Sequence, residues 1–161
     1  MPEQVIAFSV ADGIARIVID DAARHNVVGA QFTQEFARAA IACEGREDVR
    51  VVLLTAAGKE FSVGGDLNEF LAVRDRLRAH IREMATYFHL GITVLNRLPV
   101  PVLFAVNGLA AGGGMSLAMM ADMTIATRSA KFTLAYTRSG LTPDGGGSWF
   151  LPRLVGAQRA F

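Results

Sequence analysis

The sequence predicts an α/β fold in one domain spanning residues 1–161, and three observations carry that prediction. Short apolar runs of strand length alternate along the chain with longer segments whose apolar residues recur at helical spacing. Two of the runs end in glycine-rich turns that lead straight into a helix start, the local pattern of a parallel β–α unit. Apolar residues make up 52% and charged residues 19%, enough to bury a sizeable core and too little charge for a disordered chain.

Taken in order, residues 5–10 and 14–20 are apolar runs separated by Ala11, Asp12 and Gly13, and Asp-Gly between two such runs signals a hairpin. A polar loop follows at 20–26. Residues 31–44 carry Phe32, Phe36, Ala39, Ala40 and Cys43 at helical spacing, and Gly45 ends that helix. Residues 51–54 form a buried strand leading into loop 56–67, where Gly64 and Gly65 precede Asp66, the expected N-cap of a helix over 67–71. Arg74, Arg76, Arg78 and Arg82 make stretch 74–82 basic, which reads either as a solvated helix face or as a contact for a phosphorylated ligand. A long helix continues over 83–98 until Pro99 and Pro101 stop it.

The chain is organised around residues 102–122, VLFAVNGLAAGGGMSLAMMAD. Residues 102–106 read as a strand buried on both faces, Asn107-Gly108 breaks it, and Gly112, Gly113 and Gly114 lead into a helix over 115–121. The uncharged stretch 98–121 has the length of a membrane span, but two prolines, Asn107-Gly108 and three glycines would break such a helix repeatedly, so no span is expected. Strands are expected at 123–127 and 131–134, residues 136–140 are ambiguous, and a helix starts near Gly146. Residues 155–161 look like a loop entering a new helix, and the sequence is expected to be a truncated piece of a longer protein. No internal repeat and no low-complexity segment is visible.

Both glycine turns join a strand end to a helix start, which presents unpaired backbone N–H groups with no side chain to cover them. An anion or oxyanion site fits that pattern, and so does simple close backbone packing. Two such turns at carboxyl ends of strands in one α/β domain would face the same crevice. Asp144 stands in a third glycine-rich turn, flanked by Leu141, Trp149 and Phe150. A carboxylate in apolar surroundings is expected to have a raised pKa, suited to proton transfer near neutral pH; the plainer expectation is an N-cap for the helix near Gly146.

A net charge near +1 gives no reason to expect nucleic acid or an anionic membrane surface. The single cysteine, Cys43, excludes an internal disulfide and points to a reducing compartment, so a cytoplasmic setting is expected. The N-terminus, MPEQVIAF, lacks the basic and long apolar regions of a secretory signal. Dinucleotide, P-loop, zinc-protease and serine-hydrolase motifs are absent, and His25, His80 and His89 lack metal-ligand spacing, so no metal is expected.

Three stretches in this order, FSVGGDLNEF at 61–70, PVPVLFAVNGLAAGGGMSLAMMAD at 99–122 and GLTPDGGGSWFLPRLVG at 140–156, resemble the enoyl-CoA hydratase/isomerase, or crotonase, superfamily over essentially the whole chain. The resemblance implies a crotonase-like spiral of ββα units, here without its C-terminal helical part, and assembly of the full-length protein as a homotrimer or dimer of trimers. It implies an acyl-CoA thioester substrate, with coenzyme A present as part of that substrate and no tightly bound cofactor. It further implies an oxyanion hole made by the backbone N–H groups of Gly65 and Gly113, and a CoA site lined by Arg24, Val27, Val63, Asp66 and Leu67.

The two glutamates of family hydratases fall at Ser116 and Tyr136, neither of which can act as a carboxylate base at neutral pH. Asp144 falls where family isomerases keep a catalytic aspartate, so the resemblance implies double-bond isomerisation with Asp144 as proton shuttle. A hydratase-like enzyme, and a 4-chlorobenzoyl-CoA dehalogenase-like one using Asp144 as nucleophile with His89 and Tyr136 beside it, are the alternatives. Read by itself, His89 is a mid-helix residue packing under the central strand. A non-catalytic acyl-CoA-binding module is the reading from a different class, because both family glutamates are gone.

Overall fold

The computed structural model of the chain describes residues 4–161; Met1, Pro2 and Glu3, the start of the stretch read above for a leader, lie outside the described residues. The Asp12-Gly13 signal folds as a hairpin. Strands β1 (Ile6–Ala11) and β2 (Ile14–Ile19) pair antiparallel across it. Asp12 at φ 54° and Gly13 at φ 78° supply the two left-handed residues that a tight hairpin turn requires.

From β2 onward the chain repeats one move. Each long strand is followed by a short strand and then by a helix. The first such unit is β2, β3 (Val27–Val28) and α1 (Ala30–Glu44); the second is β4 (Val51–Ala56), β5 (Gly64–Gly65), α2 (Leu67–Ala72) and α3 (Leu77–Asn96). The third is β6 (Val102–Val106), β7 (Leu109–Ala111) and α4 (Gly113–Met119); the fourth is β8 (Met123–Ala126), β9 (Lys131–Thr133), α5 (Gly147–Val155) and α6 (Ala157–Ala160). The long strands form one sheet in the order β1-β2-β4-β6-β8, parallel from β2 to β8. The short strands make a second layer: β3 pairs with β5, a bridge joins Ser62 to Ala110, and β7 pairs with β9. This is the spiral of ββα units that the motifs implied, although no repeat is visible in the sequence itself.

The parallel strands read as apolar runs because helices and the second layer cover them. Ile17, Ile19, Val52, Leu54, Val102, Phe104 and Val106 are buried, with Phe32, Phe36, Ala40 and Cys43 of α1 and Phe88, Ile92 and Leu95 of α3 packed on them. Rings of Phe32, Phe36 and Phe88 sit with centroids 6.0–6.5 Å apart. Each such ring contributes about 1.5–3 kcal/mol by leaving water. Burial pushes the Cys43 thiol up to about 11, against a smaller downward pull from Arg46.

Helix ends differ from expectation where distant groups intervene. Helix α1 starts at Ala30 behind Gly29, which offers no side-chain cap; the Glu69 carboxylate of α2 accepts the Ala30 N–H instead, at 3.2 and 3.3 Å. Helix α4 starts two residues earlier than the good helix formers suggest and takes in Gly113 and Gly114. The basic stretch divides into a 3₁₀ turn, Arg74–Arg76, and the first turns of α3, and its arginines are exposed, as on a solvated face. The ambiguous segment is a 3₁₀ turn at Tyr136–Ser139. Strand β8 sits at the sheet edge with all four residues exposed. Among the described residues no helix is long and apolar enough to cross a membrane, and no group of three or more His, Cys, Asp or Glu side chains could hold a metal ion.

Candidate active site

The two glycine turns open on one cavity of about 140 Å³. Val63 and Gly65 reach it from the β4–α2 connection, Leu67 and Phe70 from α2, and Gly112 and Gly113 from the start of α4. Ile81, Met84 and Phe88 of α3 make an apolar wall, and Tyr136, Leu141 and Asp144 close the side after β9. Gly113 is the first residue of α4, so its N–H is one of the donors that a helix start leaves without an intrahelical partner. In the β3–β5 pair the Asp66 N–H donates to the Val28 carbonyl at 3.4 Å, and alternation along the strand turns the Gly65 N–H away from β3. Donors of this kind suit an oxygen that gains negative charge.

Asp144 reaches the cavity because its turn is built from glycine. Gly145 has φ 56°, and a Cβ there would lie 2.7 Å from the Phe88 ring and 2.9 Å from the Ser116 Cβ, so only glycine fits. The Asp144 side chain does not cap α5, whose N-cap is Gly146 with no side-chain bond. Instead Asp144 Oδ1 accepts the Tyr136 hydroxyl at 2.6 Å, and the Tyr136 oxygen lies 2.9 Å from Ser116 Oγ. Ser116 is fully buried and off the cavity wall.

The expected rise in the Asp144 pKa is not what the site produces. Burial pushes the carboxyl up, but the His89 contact and the Tyr136 hydrogen bond outweigh it and hold the carboxyl below its ordinary value. With 39% of its side chain exposed, Asp144 is less desolvated than its apolar sequence neighbours suggest. His89 does not simply pack under the central strand, nor does it line the cavity. Its ring is half-exposed in a neighbouring groove with Ile92, Trp149 and Phe150, where Nε2 accepts the Gly145 N–H at 3.1 Å and lies 3.8 Å from Asp144 Oδ2. One ring nitrogen serves only one of these partners. Without a proton Nε2 accepts the Gly145 N–H, and with one it faces the carboxylate and pulls the Asp144 carboxyl down.

The residues expected around CoA divide. Val63 and Leu67 line the cavity, while Arg24, Val27 and Asp66 do not. Arg24 pairs with Asp21 at 2.8 Å and with Asp66 at 3.4 Å. Asp66 also caps α2, accepting the Asn68 and Glu69 N–H groups at 3.0 Å each, as its sequence position predicts. Val27 is held in β3 opposite Gly64. Sequence reasoning missed the wall formed by Phe70, Met84 and Phe88. The spacing of Ile81, Met84 and Phe88 marks one helical face, but nothing local says what that face meets. It also missed the Tyr136–Asp144 bond, because seven residues and a glycine turn separate the two.

The enoyl-CoA hydratase/isomerase family model matches residues 9–161. A probable enoyl-CoA hydratase of Rhodobacter capsulatus is 39% identical over 99% of this chain and 60% of its own length. The 4-chlorobenzoyl coenzyme A dehalogenase-2 of an Arthrobacter species is 35% identical over 92% of this chain and 54% of its own. The 1,2-epoxyphenylacetyl-CoA isomerase of Escherichia coli is 35% identical over 98% and 60%. Among solved structures, an enoyl-CoA hydratase from Polaromonas sp. JS666 superposes with a TM-score of 0.88 at 31% identity, covering 96% of this chain and 60% of that one. The chain thus spans somewhat over half the length of the relatives it matches.

Proposed function

The chain belongs to the enoyl-CoA hydratase/isomerase family, and we propose that it acts on acyl-CoA thioesters by moving a carbon–carbon double bond, with Asp144 as the proton shuttle. One observation carries the reading: Asp144 and the backbones of Gly65 and Gly113 line the same cavity. In this mechanism the Gly65 and Gly113 N–H groups hydrogen-bond the thioester oxygen. Asp144 removes a proton from one carbon, charge moves onto that oxygen as a dienolate, and the part-exposed Asp144, whose proton exchanges with solvent, protonates a carbon two positions along. Loss of one oxyanion donor costs roughly 10²–10³ in rate. Ser116 and Tyr136 offer no second carboxylate for paired acid–base hydration, which favours isomerisation over water addition. A carboxyl held below its ordinary pKa is ionised at neutral pH and ready to accept a proton; it is a weak base, and the oxyanion donors compensate by acidifying the C–H bond.

A second reading has its own support. His89 Nε2 lies 3.8 Å from Asp144 Oδ2, and a dehalogenase is among the relatives, so displacement of halide by Asp144 with His89 activating water is the rival. A reducing cytoplasmic setting and a trimeric assembly of the full-length protein complete the proposal.

The two chemistries separate in one assay. The chain is incubated with a 3-enoyl-CoA in D₂O and, separately, with 4-chlorobenzoyl-CoA; products are read by mass spectrometry and chloride release. Double-bond migration, abolished by Asp144→Asn, is expected. Migration that survives in Asp144→Asn ends the proposal, and chloride release without migration hands the site to the rival.

A further inference from the structure

The geometry points to Tyr136 as a positioning residue that decides which oxygen of Asp144 reacts, through a hydrogen-bond relay beginning at Ser116. This rests on the reading of Asp144 as proton shuttle. An ionised carboxylate has no proton to give, so the hydrogen in the 2.6 Å Tyr136–Asp144 bond belongs to the phenol. The Tyr136 oxygen is then left with lone pairs only, and the 2.9 Å contact to Ser116 must be donated by the serine. The relay therefore has one direction: Ser116 donates to Tyr136, and Tyr136 donates to Asp144 Oδ1. Each bond polarises the next.

Two consequences follow for the carboxylate. Oδ1 is occupied by the phenol, whereas Oδ2 has His89 Nε2 at 3.8 Å, beyond hydrogen-bond distance. Oδ2 is accordingly the oxygen that takes the proton. The carboxylate plane is also fixed, because rotating it would break the phenol bond. The relay ends blind. Ser116 is fully buried on α4 against the start of α5, where a Cβ on Gly147 would lie 3.0 Å from its Oγ. A proton taken up by Asp144 has no exit through it. Burial, and then the Asp144 charge, push the Tyr136 hydroxyl far above neutral pH, so it remains a donor throughout. The two positions that hold glutamates in family hydratases are thus reused as a pair of hydroxyls.

Tyr136→Phe keeps the ring and deletes the hydroxyl; Ser116→Ala removes the far end. The Asp144 titration is followed by ¹³C NMR of the chain labelled at aspartate carboxyls, with the Asp144 resonance identified by its loss in Asp144→Asn. This readout needs no turnover, so it stands or falls separately from the isomerase reading. Tyr136→Phe should raise the Asp144 midpoint by about one pH unit, the effect of one lost bond to a charged group, and Ser116→Ala should raise it less. Where the chain isomerises, kcat should fall about tenfold with KM little changed, and the acid limb of the rate should move with the midpoint. An unchanged or lowered midpoint in either folded variant overturns the relay. A merely structural role would lower the melting temperature and leave the midpoint where it was.

Discussion

Alanine at Gly114 puts a methyl group where backbone already sits. A Cβ there would lie 2.6 Å from the Cβ of Ser62, 2.6 Å from its carbonyl oxygen and 2.8 Å from its hydroxyl. That carbonyl is not free to retreat. It accepts the Ala111 N–H at 2.9 Å, and Ser62 makes the bridge to Ala110 that joins the two halves of the second layer. Overpacking costs about 1–3 kcal/mol, and a backbone neighbour argues for the upper end. Alanine returns about 1 kcal/mol of helix propensity. The balance is a loss of about 2 kcal/mol, or about 4–8 °C in melting temperature for a chain of this length. Gly113→Ala is the internal control, because its Cβ would meet Val28 at 3.6 Å and the Phe88 ring at 3.8 and 3.9 Å, ordinary contacts. That variant should melt with the parent protein or slightly above it, from the same gain in helix propensity, yet lose turnover, since Val28 and Phe88 line the cavity its methyl would enter. Scanning calorimetry of the three proteins decides the matter. A Gly114→Ala protein as stable as the parent, or a Gly113→Ala protein that loses as much, would refute the reasoning.

Two further outcomes are expected. Asn26 is fully buried; its Oδ1 accepts the Asp21 N–H at 2.9 Å, and its amide donates to the Ala57 and Glu60 carbonyls at 2.8 Å each. Asn26→Ala should therefore cost about 3 kcal/mol in urea unfolding, and a loss under about 1 kcal/mol would contradict the network. Asp144 has a depressed carboxyl pKa, so its contribution to stability is fully present above the unfolded-state value and is lost as pH falls through the folded one. Melting temperature should thus fall less steeply below about pH 4 in Asp144→Asn than in the parent, and parallel curves would remove the shift.

The parts of the molecule written in local chemistry were legible. Asp12-Gly13 marked the hairpin, the period of Phe32, Phe36 and Cys43 marked α1, and Asp66 marked the start of α2. What escaped is set by groups far apart in the chain. Strands β3, β5 and β7 have only two or three residues, too few for a period, and exist because a neighbouring turn of the spiral pairs with them. The state of Asp144 was misjudged for a related reason. Leu141, Trp149 and Phe150 suggest an apolar shell, yet Trp149 turns to solvent, while Tyr136 and His89, from other elements, set the charge. Family resemblance named Gly65, Gly113, Tyr136 and Asp144, which line one cavity, together with Arg24, Val27, Asp66, Ser116 and His89, which do not, and the hydrogen bonds around Asp144 came only with the fold.

Cys43 gives the molecule a built-in reporter of its own opening. The thiol is sequestered on the inner face of α1 in its last turn and scarcely ionised near neutrality, so an alkylating reagent can reach it only while that end of the helix is open. Trapping rates at this one sulfur would measure how often the core breathes.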